Sequence, residues 1–252
     1  MFSTTFRRGL IPCALLLCAL IAPRASAGPA DSVYSPIVHW REWELELQGG
    51  VQDWSHPATG ERASKLALAY GLTPWWRTEF VAEYSQVPAA PARLEAFEWE
   101  NVFQLTDHGR YWLDMGIFAE LGHNRLQRSN DFQLGPMFQK EWGRSQVNLN
   151  LLAARQISRI RDPGARRPTE FKYVAQWKYR VSPELQPGVQ VFGSLGNFGR
   201  LHSDKLRAGP ALIGMASLGD GHKLTYDAAI LTGLTRNTPN TTVRFRIEYE
   251  FY

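Results

Sequence analysis

The chain is poor in what would hold a small exported protein together or let it do chemistry. It has two cysteines, Cys13 and Cys18, and both lie within the first 27 residues. No paired-cysteine, HExxH or G-x-S-x-G pattern occurs, so the common zinc, metalloprotease and nucleophile-elbow signatures are absent, and no metal or other cofactor is expected. Beyond residue 27 no apolar run approaches the roughly 20 residues that a spanning helix needs. Any membrane insertion must then be through strands, because lipid leaves no backbone group without an internal partner.

What precedes residue 28 has the layout of a secretory signal peptide. Arg7 and Arg8 lead into the apolar run Gly9 to Ile21, and Ala25-Ser26-Ala27 is a small-x-small cleavage site. Cleavage after Ala27 removes both cysteines, so the mature chain can form no disulfide. It also removes Arg7, Arg8 and Arg24 but no acidic residue, so a balance of 28 basic to 24 acidic residues becomes 25 to 24. The net charge of +1 that remains argues against a nucleic-acid partner, which would call for a strongly basic face.

The mature chain is dominated by period-two patterning, in which alternate side chains fall on opposite faces of a strand. A lead, residues 28–39, carries Pro29 and Pro36 and reads either as a periplasmic tail or as a segment tucked into a barrel mouth. From residue 40 about twelve strands follow. Trp43, Leu45, Leu47 and Val51 oppose Glu44, Glu46 and Gln48; Thr78, Phe80, Ala82 and Tyr84 oppose Glu79, Val81 and Glu83; Phe171, Tyr173, Ala175, Trp177 and Tyr179 oppose Glu170, Lys172, Val174, Gln176 and Lys178. The ninth and tenth strands are the least regular, separated by an expected long loop from Leu195 to Leu206. Connections after even-numbered strands read as short and those after odd-numbered strands as mostly longer. Aromatic residues recur at strand ends, where a membrane interface favours them.

The last stretch, Thr242 to Tyr252, is the cleanest. Val243, Phe245, Ile247, Tyr249 and Phe251 share one face, and Arg244, Arg246, Glu248 and Glu250 share the other. It resembles the closing strand of Gram-negative outer-membrane β-barrels, which end on an aromatic residue in phase with the outward face; here the phase ends at Phe251 and Tyr252 overhangs by one. The resemblance implies an all-β fold: a single antiparallel transmembrane barrel with an up-and-down meander, both mature termini on the periplasmic side. It also implies that Phe245, Tyr249, Phe251 and Tyr252 form the signal read by the barrel assembly machinery.

If the apolar face meets lipid, the other face lines a lumen. The first five strands then send in Glu44, Glu46, Glu79, Glu83, Glu98, Glu100, Asp114 and Glu120 with Lys65 to balance them. Later strands send in Lys172, Lys178, Arg244 and Arg246 together with Glu170, Glu248 and Glu250. Closure of the barrel is expected to make Glu44 and Glu46 neighbours of Arg244 and Arg246. Such a set reads either as a cross-barrel salt-bridge network or as a polar channel with a transverse field. Arg159, Arg161, Arg166 and Arg167, in an external loop, suit the phosphates of lipopolysaccharide. His202 and Ser203 are adjacent, so in a strand they face opposite ways, and no catalytic residue is assigned. The expected function is a small channel or uptake protein for polar solutes. Two alternatives stand beside it: a structural or envelope-interaction barrel with a filled lumen, and a lipid-modifying barrel enzyme.

Overall fold

The computed structural model describes residues 28–53, 60–88, 90–159, 168–198 and 200–252, with side chains for all of these except 158, 159 and 200–204. The signal-peptide reading and Arg161, Arg166 and Arg167 lie outside the described residues, as does the side chain of Arg159. Twelve strands form one closed antiparallel barrel: β1 (Trp43–Gln52), β2 (Arg62–Thr73), β3 (Trp76–Gln86), β4 (Arg93–Gln104), β5 (Asp114–Asn124), β6 (Ser129–Trp142), β7 (Ser145–Arg159), β8 (Glu170–Tyr179), β9 (Gln186–Asn197), β10 (Arg200–Gly219), β11 (His222–Gly233) and β12 (Thr241–Phe251). Each strand pairs with its neighbours in sequence, and β12 returns to β1 with Trp43 opposite Phe251 and Gln52 opposite Thr242. No edge is left unpaired, which is what hydrocarbon demands of strands.

Alternation dictates an inverted burial pattern. Leu45, Leu47, Leu66 and Leu68 are about half exposed and Phe80 is 64% exposed, whereas Glu44, Glu46, Glu79 and Arg244 are all buried. Water would penalise such a surface and lipid rewards it, since apolar side chains outside and polar ones inside is the arrangement of a transmembrane barrel. Aromatic pairs gather near the end of the barrel where the chain enters β1 and leaves β12, among them Trp43 with Tyr70 at 4.5 Å and Tyr249 with Phe251 at 5.4 Å.

Two loop expectations are corrected. The stretch Leu195 to Leu206 is mostly strand, because β9 runs to Asn197 and β10 starts at Arg200, the irregularity being a register shift between Leu201 and Lys205. Connection lengths also alternate less regularly than the sequence suggests. At the end where β1 begins, the connections span 74–75, 105–113, 143–144, 180–185 and 220–221; at the other they span 53–61, 87–92, 125–128, 160–169, 198–199 and 234–240. The 105–113 segment is longer than a simple turn because it folds back on Asp114, which takes a hydrogen bond from the Gly109 amide at 2.8 Å and meets His108 at 3.0 Å. The two ends are called below the short-turn end and the long-loop end.

Candidate functional site

The residues before β1 form a strap that runs inside the barrel. Pro29 and Ala30 lie in the long-loop half, and the chain then passes along the lumen to reach β1 at the short-turn end. Tyr252 lies at the same short-turn end, beside the entry to β1.

The strap is held by side chains from around the wall. Arg207 on β10 donates to the Gly28 carbonyl and to Asp31, both at 2.7 Å. Gln48 donates to the Asp31 carbonyl at 3.0 Å and accepts from Ser32 at 2.9 Å. Asn150 meets both backbone polar atoms of Tyr34, each at 3.0 Å, and the Val38 amide donates to Gln104 at 2.7 Å. At the short-turn end the strap joins the wall by main-chain bonds, Arg41 N–H to Gly71 and Gly71 N–H to Glu42. These partners satisfy an extended segment that no strand pairs with, as buried backbone requires.

Apolar packing completes the seat. Tyr34 stacks on Phe118 with ring centroids 4.1 Å apart, within a cluster that includes Val38, Val102, Met137 and Leu152. On the opposite wall Val33 packs with Val174, Phe192, Ile213 and Leu231. Inward-facing glycines make the room: a Cβ at Gly50 would overlap the Pro29 carbonyl, and one at Gly116 would lie 2.8 Å from Pro36. The sequence held this signal in its lumen-facing phase, where Phe118, Met137, Leu152, Val174 and Phe192 are apolar on successive strands. Apolar residues facing a lumen need a cover, and the strap is that cover.

Around the strap the wall carries paired charges. Arg77, which precedes the sequence pattern of the third strand because that pattern starts at Thr78, meets Glu44 at 2.6 Å and Glu79 at 2.7 Å. Lys65 meets Glu98 at 2.7 Å. Arg246 approaches Glu46 at 3.5 Å and Glu248 at 3.7 Å. The expected pairing of Arg244 with Glu44 or Glu46 is corrected: Arg244 stands opposite Gly50 in the β1–β12 register and instead pairs with Asp227 on β11 at 2.8 Å. Asp114 caps its own turn. Arg207 on β10 is 3% exposed and faces the lumen.

At the short-turn mouth Lys223 lies 3.0 Å from both Glu42 and Glu250, and His39 is 2.8 Å from Glu42. Burial pushes the Glu42 carboxyl up, but hydrogen bonds from His39, Lys223 and Tyr252 hold it at about 2. The Glu42 hydrogen bond raises the His39 imidazole above its ordinary value. Two groups of carboxylates and histidine have metal-ligand spacing among the described residues: His39, Glu42 and Glu250; and Glu98, Glu100 and Glu120. In the first, Lys223 is bound to Glu42 and Glu250; in the second, Lys65 is bound to Glu98.

Two cavities flank the strap. One, of about 470 Å³, is lined by charged residues of both signs, including Glu46, Arg77, Lys178, Arg246 and Glu248. The other, of about 140 Å³, is lined by Lys65, Glu83, Glu98, Glu120 and Lys172 together with Gly28 and Asp31. Ser32 and Tyr34 of the strap border both. On the outside, Phe245 covers Gly49 of the neighbouring strand, Tyr249 bonds His222 at 2.7 Å, and Tyr252 is 66% exposed. His202 and Ser203 lie on β10, and their side chains are outside the described set.

The fold is that of outer-membrane β-barrel proteins. It is similar to an outer membrane channel from Pseudomonas putida F1 (TM-score 0.60, 13% identity, covering 87% of this chain and 97% of that one). It is also similar to the NanC porin (TM-score 0.56, 9% identity, covering 82% and 99%) and to the β domain of the Bordetella autotransporter BrkA (TM-score 0.53, 13% identity, covering 84% and 98%). No protein-family model matches the chain, and no curated protein matches it.

Proposed function

We propose that the protein is a Gram-negative outer-membrane channel for small polar solutes, with the N-terminal strap as its constriction. The observation that carries this reading is the cavity of about 470 Å³ inside a closed barrel, lined by carboxylates and by guanidinium and ammonium groups on facing walls. Charged walls of both signs order water and sort solutes by charge as well as size. The likeness of the fold to porins supports the reading. In this proposal the short-turn end faces the periplasm, the arginine-rich 157–168 segment faces lipopolysaccharide, and the assembly machinery reads the aromatic residues of β12.

Purified protein, shown to be folded by heat-modifiable migration on gels, is expected to give steady single-channel currents in a planar bilayer. Folded protein that passes no current would favour the second reading, a structural barrel. That reading has its own support in the hydrogen bonds and buried prolines that seat the strap. Sidedness is tested separately. Cysteines placed at positions 161 and 220 of the cysteine-free mature chain should react differently with an impermeant thiol reagent on intact cells, position 161 labelling and position 220 not.

A further inference from the structure

Among the described residues Arg207 and Arg244 are the two arginines buried most completely in the lumen, 3% and 1% exposed, and their guanidinium carbons stand 5.1 and 5.5 Å from the ring centre of Phe192. Each uses only one nitrogen. Arg244 donates through Nη1 to Gln190 at 2.7 Å and Asp227 at 2.8 Å, and Arg207 donates through Nη2 to Gly28 and Asp31. Nε and Nη1 of Arg207, and Nε and Nη2 of Arg244, are buried with no acceptor among the described residues. A buried donor without an acceptor is costly, so four on two neighbouring guanidiniums can take further acceptors, of which a carboxylate oxygen is among the strongest.

The two arginines differ in where their carboxylates come from. Asp227 belongs to the wall and is fixed by Gln190, which donates to it at 2.9 Å and to Gln176 at 2.7 Å. Asp31 belongs to the strap, and its side chain keeps 30% of its surface exposed although Arg207 is buried. Both Asp31 and Phe192 border the cavity of about 140 Å³, so open space adjoins Asp31 and the ring on which both arginines lie. A guanidinium takes a carboxylate through two parallel N–H donors. Asp31 uses one.

We infer that Arg207, flanked by Arg244 over the ring of Phe192, is a binding site for small carboxylate-bearing solutes, and that Asp31 of the strap occupies it as an internal competitor. A solute carboxylate brings the same chemical group as Asp31 and finds the unused donors as well. Binding it releases the strap's anchor in the long-loop half, so occupancy and the position of the constriction are linked through one arginine. The inference deepens the channel reading and rests on it for this consequence, although binding itself requires no conduction.

The test is an equilibrium titration of the folded full-length protein in detergent with lactate, using glycerol as an uncharged control of similar size. Asp31→Asn is expected to bind lactate about tenfold more tightly than the natural protein, because the competitor's charge is gone. Arg207→Gln is expected to lose at least tenfold, and glycerol to bind none of them. Equal lactate affinity in the natural protein and Asp31→Asn overturns the inference, as does lactate binding that survives Arg207→Gln. Asp31 lies outside the strands, so its variant decides the matter even if Arg207→Gln fails to fold. Lactate binding of the expected order without current would leave the site standing and remove the channel reading; current without lactate binding would do the reverse.

Discussion

The carbonyl of Pro29 occupies the space in which a side chain on Gly50 would begin. One residue is the second of the described chain and the other lies near the end of its first strand, so the seat of the strap is built into β1 itself. Gly50→Leu is expected to push the strap off its seat and to raise single-channel conductance several-fold. Overpacking of this kind costs about 1–3 kcal/mol. Gly122→Ala is the control, because a Cβ there meets its nearest neighbour at an ordinary 3.7 Å. If Gly50→Leu conducts like the natural protein, the strap is not the constriction.

The Arg244–Asp227 pair is fully enclosed, so removing one partner strands the other. Either Arg244→Met or Asp227→Leu alone is expected to cost about 3–5 kcal/mol. The double variant should recover most of that, because an apolar pair leaves no orphaned charge. Urea unfolding followed by gel mobility measures all three. Additive losses in the double variant would show that the two residues do not act as a pair.

These residues also mark what could be read in advance. The barrel was legible because period-two alternation is a local property: Val243 to Phe251 displays it without reference to any other strand. Lumen membership followed from phase alone, which placed Glu44, Glu79 and Arg244 on the inner wall. Partnership did not follow. Whether Arg244 meets Glu46 or Asp227 depends on register, and a shift of two residues leaves every side chain on its own face while changing every pair. The strap was legible only as one of two readings of residues 28–39, a tail or a segment tucked into the barrel mouth, and its partners were hidden for a different reason. Its contacts join Tyr34 to Asn150 and Asp31 to Arg207, and no local pattern encodes an extended segment whose partners are side chains far along the chain.

The short-turn mouth should respond to pH. His39 has its pKa raised by Glu42, so its contribution to stability is full below about 6.5 and is lost as pH rises through the raised value. Glu42 is held at about 2, so its contribution is present above its ordinary value of 4.5 and is lost as pH falls through about 2. The network is therefore strongest between those limits. The difference in melting temperature between the natural protein and His39→Ala should shrink as pH rises from about 6 to about 9. A difference that stays constant over that range would remove His39 from the network.

Closure depends on the final residues. Phe251 faces Trp43 in the β1–β12 register and stacks with Tyr249 at 5.4 Å. Phe251→Ala with Tyr252 deleted is expected to impair membrane insertion far more than Tyr34→Ala, because an open seam leaves backbone groups unpaired at several kcal/mol each in hydrocarbon. Normal heat-modifiable migration of the truncated protein would refute this.

A ring that encloses part of its own chain constrains the order in which it can be made. The strap enters β1 directly, and β1 is one side of the final seam, so the strap lies at the centre of a wall that the last strand completes. Once β12 has paired with β1, the strap can reach Asn150 and Arg207 only by being drawn lengthwise along the lumen, with Tyr34 passing to its seat on Phe118. While the sheet is still open it can be laid down sideways, and the wall then rolls up around it. The strap thus gives assembly a direction: a chain whose lumen is filled before its seam closes has its inner apolar walls covered, and one that closes first has trapped them facing water.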